Sequence, residues 1–257
     1  MTLRYNNHRP LVKAWGLCLI LLLVAADTNA EEATYAVSGS APAKNRTSGA
    51  NAVESNFTGD VDHLAFRVVE RRQHAQLKSL LRQGISANLR SADGTTLLMY
   101  AALHGDAEGV RILLDAGADS DATNNHGATA LIWGASDAEK VRLLANRGAD
   151  VNAVSETGAT PLSAAAAHAE GADAIQQLLD AEADVNRQKQ SPLVIASGLG
   201  SLDSIKVLLN HYKKNNYADP QMQRAGLLAA IGRHTRIETM LLDWDGPGHV
   251  ERSERAL

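Results

Sequence analysis

The stretch Gly94–Ala122 (GTTLLMYAALHGDAEGVRILLDAGADSDA) contains one complete structural unit of this protein. Thr96 can accept hydrogen bonds from backbone N–H groups at the start of a first helix. Gly105 and Asp106 interrupt that helix, and a second run of helical apolar spacing follows. Gly117 stands where a helix needs a left-handed residue to end. The stretch therefore predicts two short helices, joined by a bend and followed by a loop.

The ending of this unit recurs along the chain. Asn88 and Asp121, which close two such endings, lie 33 residues apart, and the second helix recurs with similar spacing. The repeated endings are Gly84–Asn88, Gly117–Asp121, Gly148–Asn152 and Glu182–Asn186. The repeated second-helix motifs are Val110–Leu114, Val141–Leu144, Ile175–Leu179 and Ile205–Leu209.

A period near 33 residues with this layout resembles the ankyrin repeat. Gly158-Ala-Thr-Pro-Leu162 and Ser191-Pro-Leu193 match the start of that family's first helix. The histidine that follows Thr-Pro-Leu in the family is absent from this chain, where Met99, Ile132, Ser163 and Val194 take its place. The resemblance implies an all-α solenoid of helix–turn–helix units with short hairpin or loop fingers, about six units including two degenerate caps.

The repeat domain is predicted to cover residues 60–244. The first unit carries charged residues on its outer faces, as expected of an end repeat with a neighbour on one side only. The last unit keeps both helices but loses the turn signature, which identifies it as the opposite cap. The predicted units are 60–89, 90–122, 123–153, 154–186, 187–216 and 217–244.

Several side chains are predicted to begin or end helices. Ser136–Glu139 has the spacing of a capping box, and Glu182 replaces the glycine that stops the second helix elsewhere. Pro161 and Pro192 occupy first helical positions, where a missing N–H costs nothing. The predicted N-caps of the first helices are Thr96, Thr129, Thr160 and Ser191.

Residues 1–30 have the composition of a secretory signal peptide. A basic start is followed by the apolar run Leu17–Ala26 and by the small residues of Thr28–Ala30 at a cleavage position. The alternative is an uncleaved anchor, but the apolar run is shorter than the roughly 18–20 residues of a spanning helix. Residues 31–59 are predicted to be a flexible linker and residues 245–257 a disordered tail.

Composition and motifs argue against several functional classes. Loss of residues 1–30 would change the formal net charge from −4 to −6 and remove Cys18, the only cysteine. An acidic chain is a poor ligand for nucleic acid. No zinc-protease, hydrolase or phosphate-loop motif occurs after the signal segment, so we expect no catalysis, no metal and no cofactor. An enzyme with an unrecognised site is the less favoured alternative.

The resemblance implies that a protein partner binds the concave side formed by the fingers and the first helices. Tyr100 and Trp133, on neighbouring units, are predicted anchors of such a surface, with packing between repeats as the alternative. We expect an exported monomer, periplasmic or secreted, without stable membrane insertion after cleavage; a secreted effector or inhibitor of another cell's protein is the alternative. The predicted partner-binding residues are Tyr100, Leu103, His104, Trp133, His168, Ile195, Leu199, Asp93, Asn125, His126 and Glu156.

Export predicts one specific mature N-terminus. Cleavage after Ala30 should leave Glu31 as the first residue of the protein recovered from its native host. N-terminal sequencing checks this, and a protein that retains Met1 in the membrane fraction would instead support the anchor alternative.

Overall fold

The computed structural model describes residues 60–187 and 190–246. The predicted signal segment, the linker, residues 188–189 and most of the predicted tail lie outside these residues. Within them, no helix combines the length and the apolar character needed to cross a membrane.

The described residues form twelve α-helices in six consecutive pairs. The only strand-like feature found among them is an isolated antiparallel bridge between Arg90 and Thr96. The first helices of the pairs are α1 (Asp60–Glu70), α3 (Leu97–His104), α5 (Ala130–Trp133), α7 (Pro161–Ala166), α9 (Pro192–Leu199) and α11 (Met222–Ile231). The second helices are α2 (His74–Arg82), α4 (Ala107–Asp115), α6 (Ala138–Asn146), α8 (Ala172–Asp180), α10 (Leu202–Lys214) and α12 (Thr235–Leu242).

The pairs stack in chain order. Each first helix packs on the first helix of the next pair, from α1 through to α11, and each second helix packs likewise on the next second helix. Every unit therefore buries its apolar side chains against its neighbours, as in other repeat proteins. The predicted all-α solenoid is confirmed.

The seams between units are filled mainly by leucine and alanine. One repeated position of the inner first helices is always leucine, and so is one repeated position of the second helices that follow them. These leucines are at most 1% exposed. This agrees with the scarcity of aromatic residues, which make up 4% of the sequence. The buried leucines are Leu98, Leu131, Leu162 and Leu193 on first helices, and Leu113, Leu144, Leu178 and Leu208 on second helices.

The predicted helix starts are confirmed with one exception. Thr96, Thr129, Thr160 and Ser191 each accept a backbone N–H bond at the start of a first helix. The capping box predicted at Ser136 is wrong, because Asp137 is the N-cap of α6. Its carboxylate accepts hydrogen bonds from the amides of Glu139 and Lys140 at 3.0 and 3.2 Å, and these satisfy two of the free donors of the helix.

Glu182 adopts the left-handed conformation predicted for it. Its φ of 63° compares with 86° at Gly148, the residue that ends the second helix of the preceding unit. A side chain in this region costs about 1 kcal/mol relative to glycine. The stack therefore imposes the same turn on a residue that does not favour it.

The last residue of each repeated ending connects neighbouring units. The side-chain oxygens of Asn88, Asp121 and Asn152 each accept, at 2.7 Å, the backbone N–H of the aspartate one unit later. Those donors are Asp119, Asp150 and Asp184. The side-chain oxygen of the fourth member of the series, Asn186, accepts a hydrogen bond from the Tyr217 hydroxyl. We refer to Asn88, Asp121, Asn152 and Asn186 as the Asx ladder.

The seam between the fifth and sixth units contains a buried polar cluster. Asp219 is 3% exposed, and its carboxylate accepts hydrogen bonds from the hydroxyls of Ser191 and Tyr212. Burial, together with the nearby Asp219 charge, raises the pKa of Tyr212 well above its usual value. The same causes raise the pKa of Tyr217 to about 12. Both tyrosines therefore remain neutral hydrogen-bond donors at physiological pH.

Lys140 is a buried cation that joins the second and third units. Its side chain lies on α6, and its Nζ donates to the carbonyls of Ala102 at 2.8 Å and Gly105 at 3.2 Å. These carbonyls lie at the C-terminal end of α3, where the helix dipole attracts positive charge. Desolvation lowers the pKa of Lys140, although the Asp137 charge opposes the shift.

Leu144 provides a test of the inter-unit core. Its side chain is fully buried on α6, so Leu144→Ala should lower the free energy of unfolding by about 2–5 kcal/mol. Leu103→Ala is the matched control, because Leu103 is 49% exposed and its truncation should cost less than about 0.5 kcal/mol. Urea denaturation measures both, and equal losses would contradict the burial described here.

Ser197 provides a test in which a substitution should raise the free energy of unfolding. Its hydroxyl is fully buried and has no hydrogen-bond partner among the described residues. Counted from the N-caps, the same position is alanine in the three preceding units, as Ala102, Ala135 and Ala166. Ser197→Ala should therefore raise the free energy of unfolding by about 1 kcal/mol. Unchanged or reduced stability in the same denaturation assay would show that the hydroxyl is satisfied.

Candidate functional site

The fingers and the outward positions of the first helices form one continuous side of the stack, which we call the finger–helix face. Three fingers are short hairpins, each closed by a backbone bond between the residue that opens it and a residue just before the next helix. These bonds join Ser91 to Thr95, Asn124 to Ala128 and Ser155 to Ala159 at 2.9–3.1 Å.

Adjacent fingers are hydrogen-bonded to each other. The amide of Asn125 donates to the carbonyl of Asp93, and the amide of Glu156 donates to the carbonyl of His126, both at 3.0 Å. The side chains of Asn125, His126 and Glu156 remain exposed. The fingers thus present polar side chains from a backbone that is fixed on two sides.

Asp93 differs from the other predicted finger residues because its carboxylate has partners within its own finger. It accepts hydrogen bonds from the Ser91 hydroxyl, from the Thr95 hydroxyl at 3.0 Å and from the Thr95 amide at 3.2 Å. Burial acts to raise the pKa of Asp93, but these hydrogen bonds outweigh it and hold the pKa below its usual value. Asp93 therefore shapes the finger and is only partly available to a partner.

Tyr100, predicted as an anchor of the partner-binding surface, is buried, as in the alternative of packing between repeats. The side chain is 8% exposed, and its ring packs edge-on against Phe66 with a centroid distance of 5.1 Å. On the other side its ring centroid lies 4.6 Å from that of His104, and burial raises the pKa of Tyr100, with the Glu70 charge adding to the shift. Tyr100 is a wedge between the first two units, because α1 brings Phe66 over the position that was expected to be open.

Ile195 is a second correction, since it is 8% exposed. It lies on α9, which packs between α7 and α11, so its side chain is covered from neighbouring helices. Trp133, at the equivalent position of the third unit, is only partly buried and packs against the core. It can therefore present one part of its ring to a partner while the rest stabilises the stack.

The remaining predicted helix positions differ in exposure. Leu103 is 49% exposed, and His104 is exposed beside it. Contact with Tyr100 removes water from the His104 ring, and this desolvation lowers the pKa of His104 despite the opposing Glu70 charge. His168 and Leu199 are partly buried. The finger–helix face thus contains two accessible apolar side chains, Leu103 and part of Trp133.

Sequence reasoning missed two exposed side chains of α11. Leu227 and Ile231 are 61% and 65% exposed, more than any other large hydrophobic among the described residues. The cap interpretation instead predicts a polar outer face for the last unit. Their spacing of four residues on a helix was the available signal.

The described residues contain no group of three or more histidine, cysteine, aspartate or glutamate side chains placed to hold a metal ion. Two surface depressions lie away from the finger–helix face. One, of about 560 Å³, lies between α8 and α10 and includes Asp180 and His211. The other, of about 420 Å³, lies between α2 and α4.

Comparison with known proteins agrees with the architecture. A family model described as ankyrin repeats (3 copies) matches residues 63–155 and residues 135–221, which together cover more than half of the chain. No curated protein matches the sequence. The repeated helix pairs, their stacking and this match have the same explanation: the chain belongs to the ankyrin-repeat family.

Proposed function

We propose that this protein is an exported binding module that holds a protein partner on its finger–helix face without catalysis. Ankyrin repeats indicate a protein–protein interaction module. The exported location rests on the basic, apolar and small-residue pattern of residues 1–30. The choice of face rests on the distribution of exposed apolar side chains.

Exposed apolar side chains occur on the finger–helix face itself. Leu103, at the end of α3, is 49% exposed, and Val154, directly before the third finger, is 43% exposed. Of the other exposed large hydrophobics among the described residues, Leu227 and Ile231 lie on the side of α11 that faces away from α9, and Leu242 ends α12. Exposed apolar groups on a rigid surface favour protein binding, because burying them removes apolar area from water.

The second helices present a different surface. A chain of ion pairs runs across α2, α4 and α6, and neighbouring members are joined at 2.7–3.4 Å. Each of these charges is already paired and remains solvated, so the surface gains little by binding. The members are Lys78, Glu108, Arg111, Glu139 and Arg142. This contrast with the opposite side supports the finger–helix face as the binding surface.

The binding mechanism that we propose is non-covalent capture on a pre-formed surface. The bonds between fingers and the Asx ladder hold the backbone before a partner arrives. Binding then requires little ordering of the backbone, which reduces the entropic cost of association. Leu103 and the accessible part of Trp133 supply apolar contact, and Asn125, His126 and Glu156 supply polar contacts around it.

Leu103→Glu tests the proposed face. The protein would be cross-linked in its native compartment and purified with its partner, and the recovered partner quantified by mass spectrometry. Placing a charge at an apolar anchor should weaken binding by about 2 kcal/mol or more, roughly thirtyfold. The melting temperature should change little, because the site is 49% exposed.

Asn146→Glu is the matched control for this experiment. Asn146 is exposed on the second helix α6, so the substitution adds the same charge to the opposite side of the stack. The control should retain the partner at the wild-type level. Loss of the partner from Asn146→Glu and its retention by Leu103→Glu would place the binding surface on the second helices and overturn the proposal.

A further inference from the structure

The first helix of the sixth pair, α11, has an exposed apolar side that no described helix covers. Leu227 and Ile231 are one helical turn apart and therefore project from the same side. The helix packs on α9 and on α12. Within the described part of the chain, no further first helix covers the opposite side of α11, and the two side chains remain 61% and 65% exposed.

The fifth unit shows what normally covers this side. The turn after α9 is closed by the Ser201 amide on the Ala196 carbonyl, and the turn after α11 by the His234 amide on the Ala229 carbonyl. These equivalent bonds are 33 residues apart, which aligns Leu227 with Val194. Val194 is fully buried, in a unit on which a further first helix packs. The side of α11 that carries Leu227 therefore has the geometry of a helix-docking seam.

Two arginines flank the apolar pair. Arg224 lies three residues before Leu227, on the same side of α11, and Arg233 follows the helix in a left-handed conformation with φ of 57°. Both are exposed, and neither side chain has a hydrogen bond or ion pair to another described residue. By contrast, Arg142 and Arg147 are each paired with a carboxylate.

We propose that this surface, formed by Arg224, Leu227, Ile231 and Arg233 and called here the α11 stripe, docks an amphipathic helix of the protein partner. The partner helix takes the place of a following first helix and packs apolar side chains, spaced three or four residues apart, on Leu227 and Ile231. Its flanks carry carboxylates, since each arginine offers a fork of donors that matches a carboxylate. This proposal rests on the proposed function and specifies the chemistry of the partner.

The choice of a helical occupant follows from the seam itself. In the inner units the equivalent side of each first helix is covered by another first helix. A β-strand or loop would leave backbone N–H and C=O groups facing leucine and isoleucine side chains, where they find no hydrogen-bond partner. A helix satisfies its own backbone and presents only side chains.

The probes for the experiment are two labelled peptides of about 15 residues. Both carry leucine at helical i, i+4 and i+7 positions in an alanine- and glutamine-rich background. One has glutamate on both flanks, and the other has lysine at the same positions. Fluorescence anisotropy would measure their affinity for the full mature chain purified from its native host.

The glutamate peptide should bind at least about tenfold more tightly than the lysine peptide, and added salt should weaken its binding because the ion pairs are exposed. Ile231→Glu should weaken that binding at least about tenfold. Asn146→Glu, which adds the same charge to the exposed side of α6, is the matched control and should bind the peptide as the wild type does. Arg224→Glu combined with Arg233→Glu should abolish or reverse the preference between the two peptides.

Three outcomes would overturn the proposal. Equal binding of the two peptides, or binding that Ile231→Glu leaves unchanged, would exclude the α11 stripe as an acidic-helix site. Self-association in sedimentation experiments that Ile231→Glu abolishes, without peptide binding, would identify a second copy as the occupant. Peptide binding that appears only after removal of residues 247–257 would identify that segment as the occupant. The melting temperature of each variant separates loss of the surface from loss of the fold.

Failure of this proposal is distinguishable from failure of the proposed function. If the native partner still co-purifies with Ile231→Glu but not with Leu103→Glu, the finger–helix face binds the partner and the α11 stripe does not. If both variants retain the partner and the peptide does not bind, both proposals fail.

Discussion

Burial between neighbours is the constraint on which this structure depends. Helix pairs in the stack bury apolar side chains against neighbouring pairs, and each inner first helix packs between the first helices on either side of it. Small residues at the contact positions allow this close approach, and fully buried leucines fill the seams. Stability is therefore shared among seams, so that damage at one seam weakens both adjoining units.

Hydrogen bonds fix the distance between the loops of neighbouring units, which apolar burial alone would not fix. Apolar packing is non-directional, whereas the Asx ladder and the bonds between fingers fix each loop at one distance from the next. The ladder also explains why the repeated ending closes with asparagine or aspartate. Only a short side chain with an acceptor oxygen can reach the amide of the following unit from that position. Rigid spacing in turn gives the finger–helix face its defined geometry.

Much of the fold was predictable from the sequence because its signals are local and repeated. The N-caps of the four inner first helices, the prolines that follow two of them and the helix stop at Glu182 each depend on a few adjacent residues, and all of these are confirmed. Side-chain exposure on the finger–helix face was harder to predict, since it depends on the neighbouring unit. Tyr100 is buried because of Phe66 in the preceding unit, and Leu227 is exposed because no described first helix follows α11. Two positions with similar local sequence can therefore differ in accessibility.

The buried ammonium of Lys140 has a consequence for how such a protein can change its number of repeats. Lys140 of the third unit donates hydrogen bonds to the Ala102 and Gly105 carbonyls of the second unit. The equivalent position on the second helix of the second unit is Gly109, which makes no such contact. Because these acceptors are backbone carbonyls, another unit can supply them only if its first helix ends at the same place relative to Lys140. A unit inserted before the third one must therefore end its first helix in the same way, since the Lys140 ammonium is otherwise buried without acceptors.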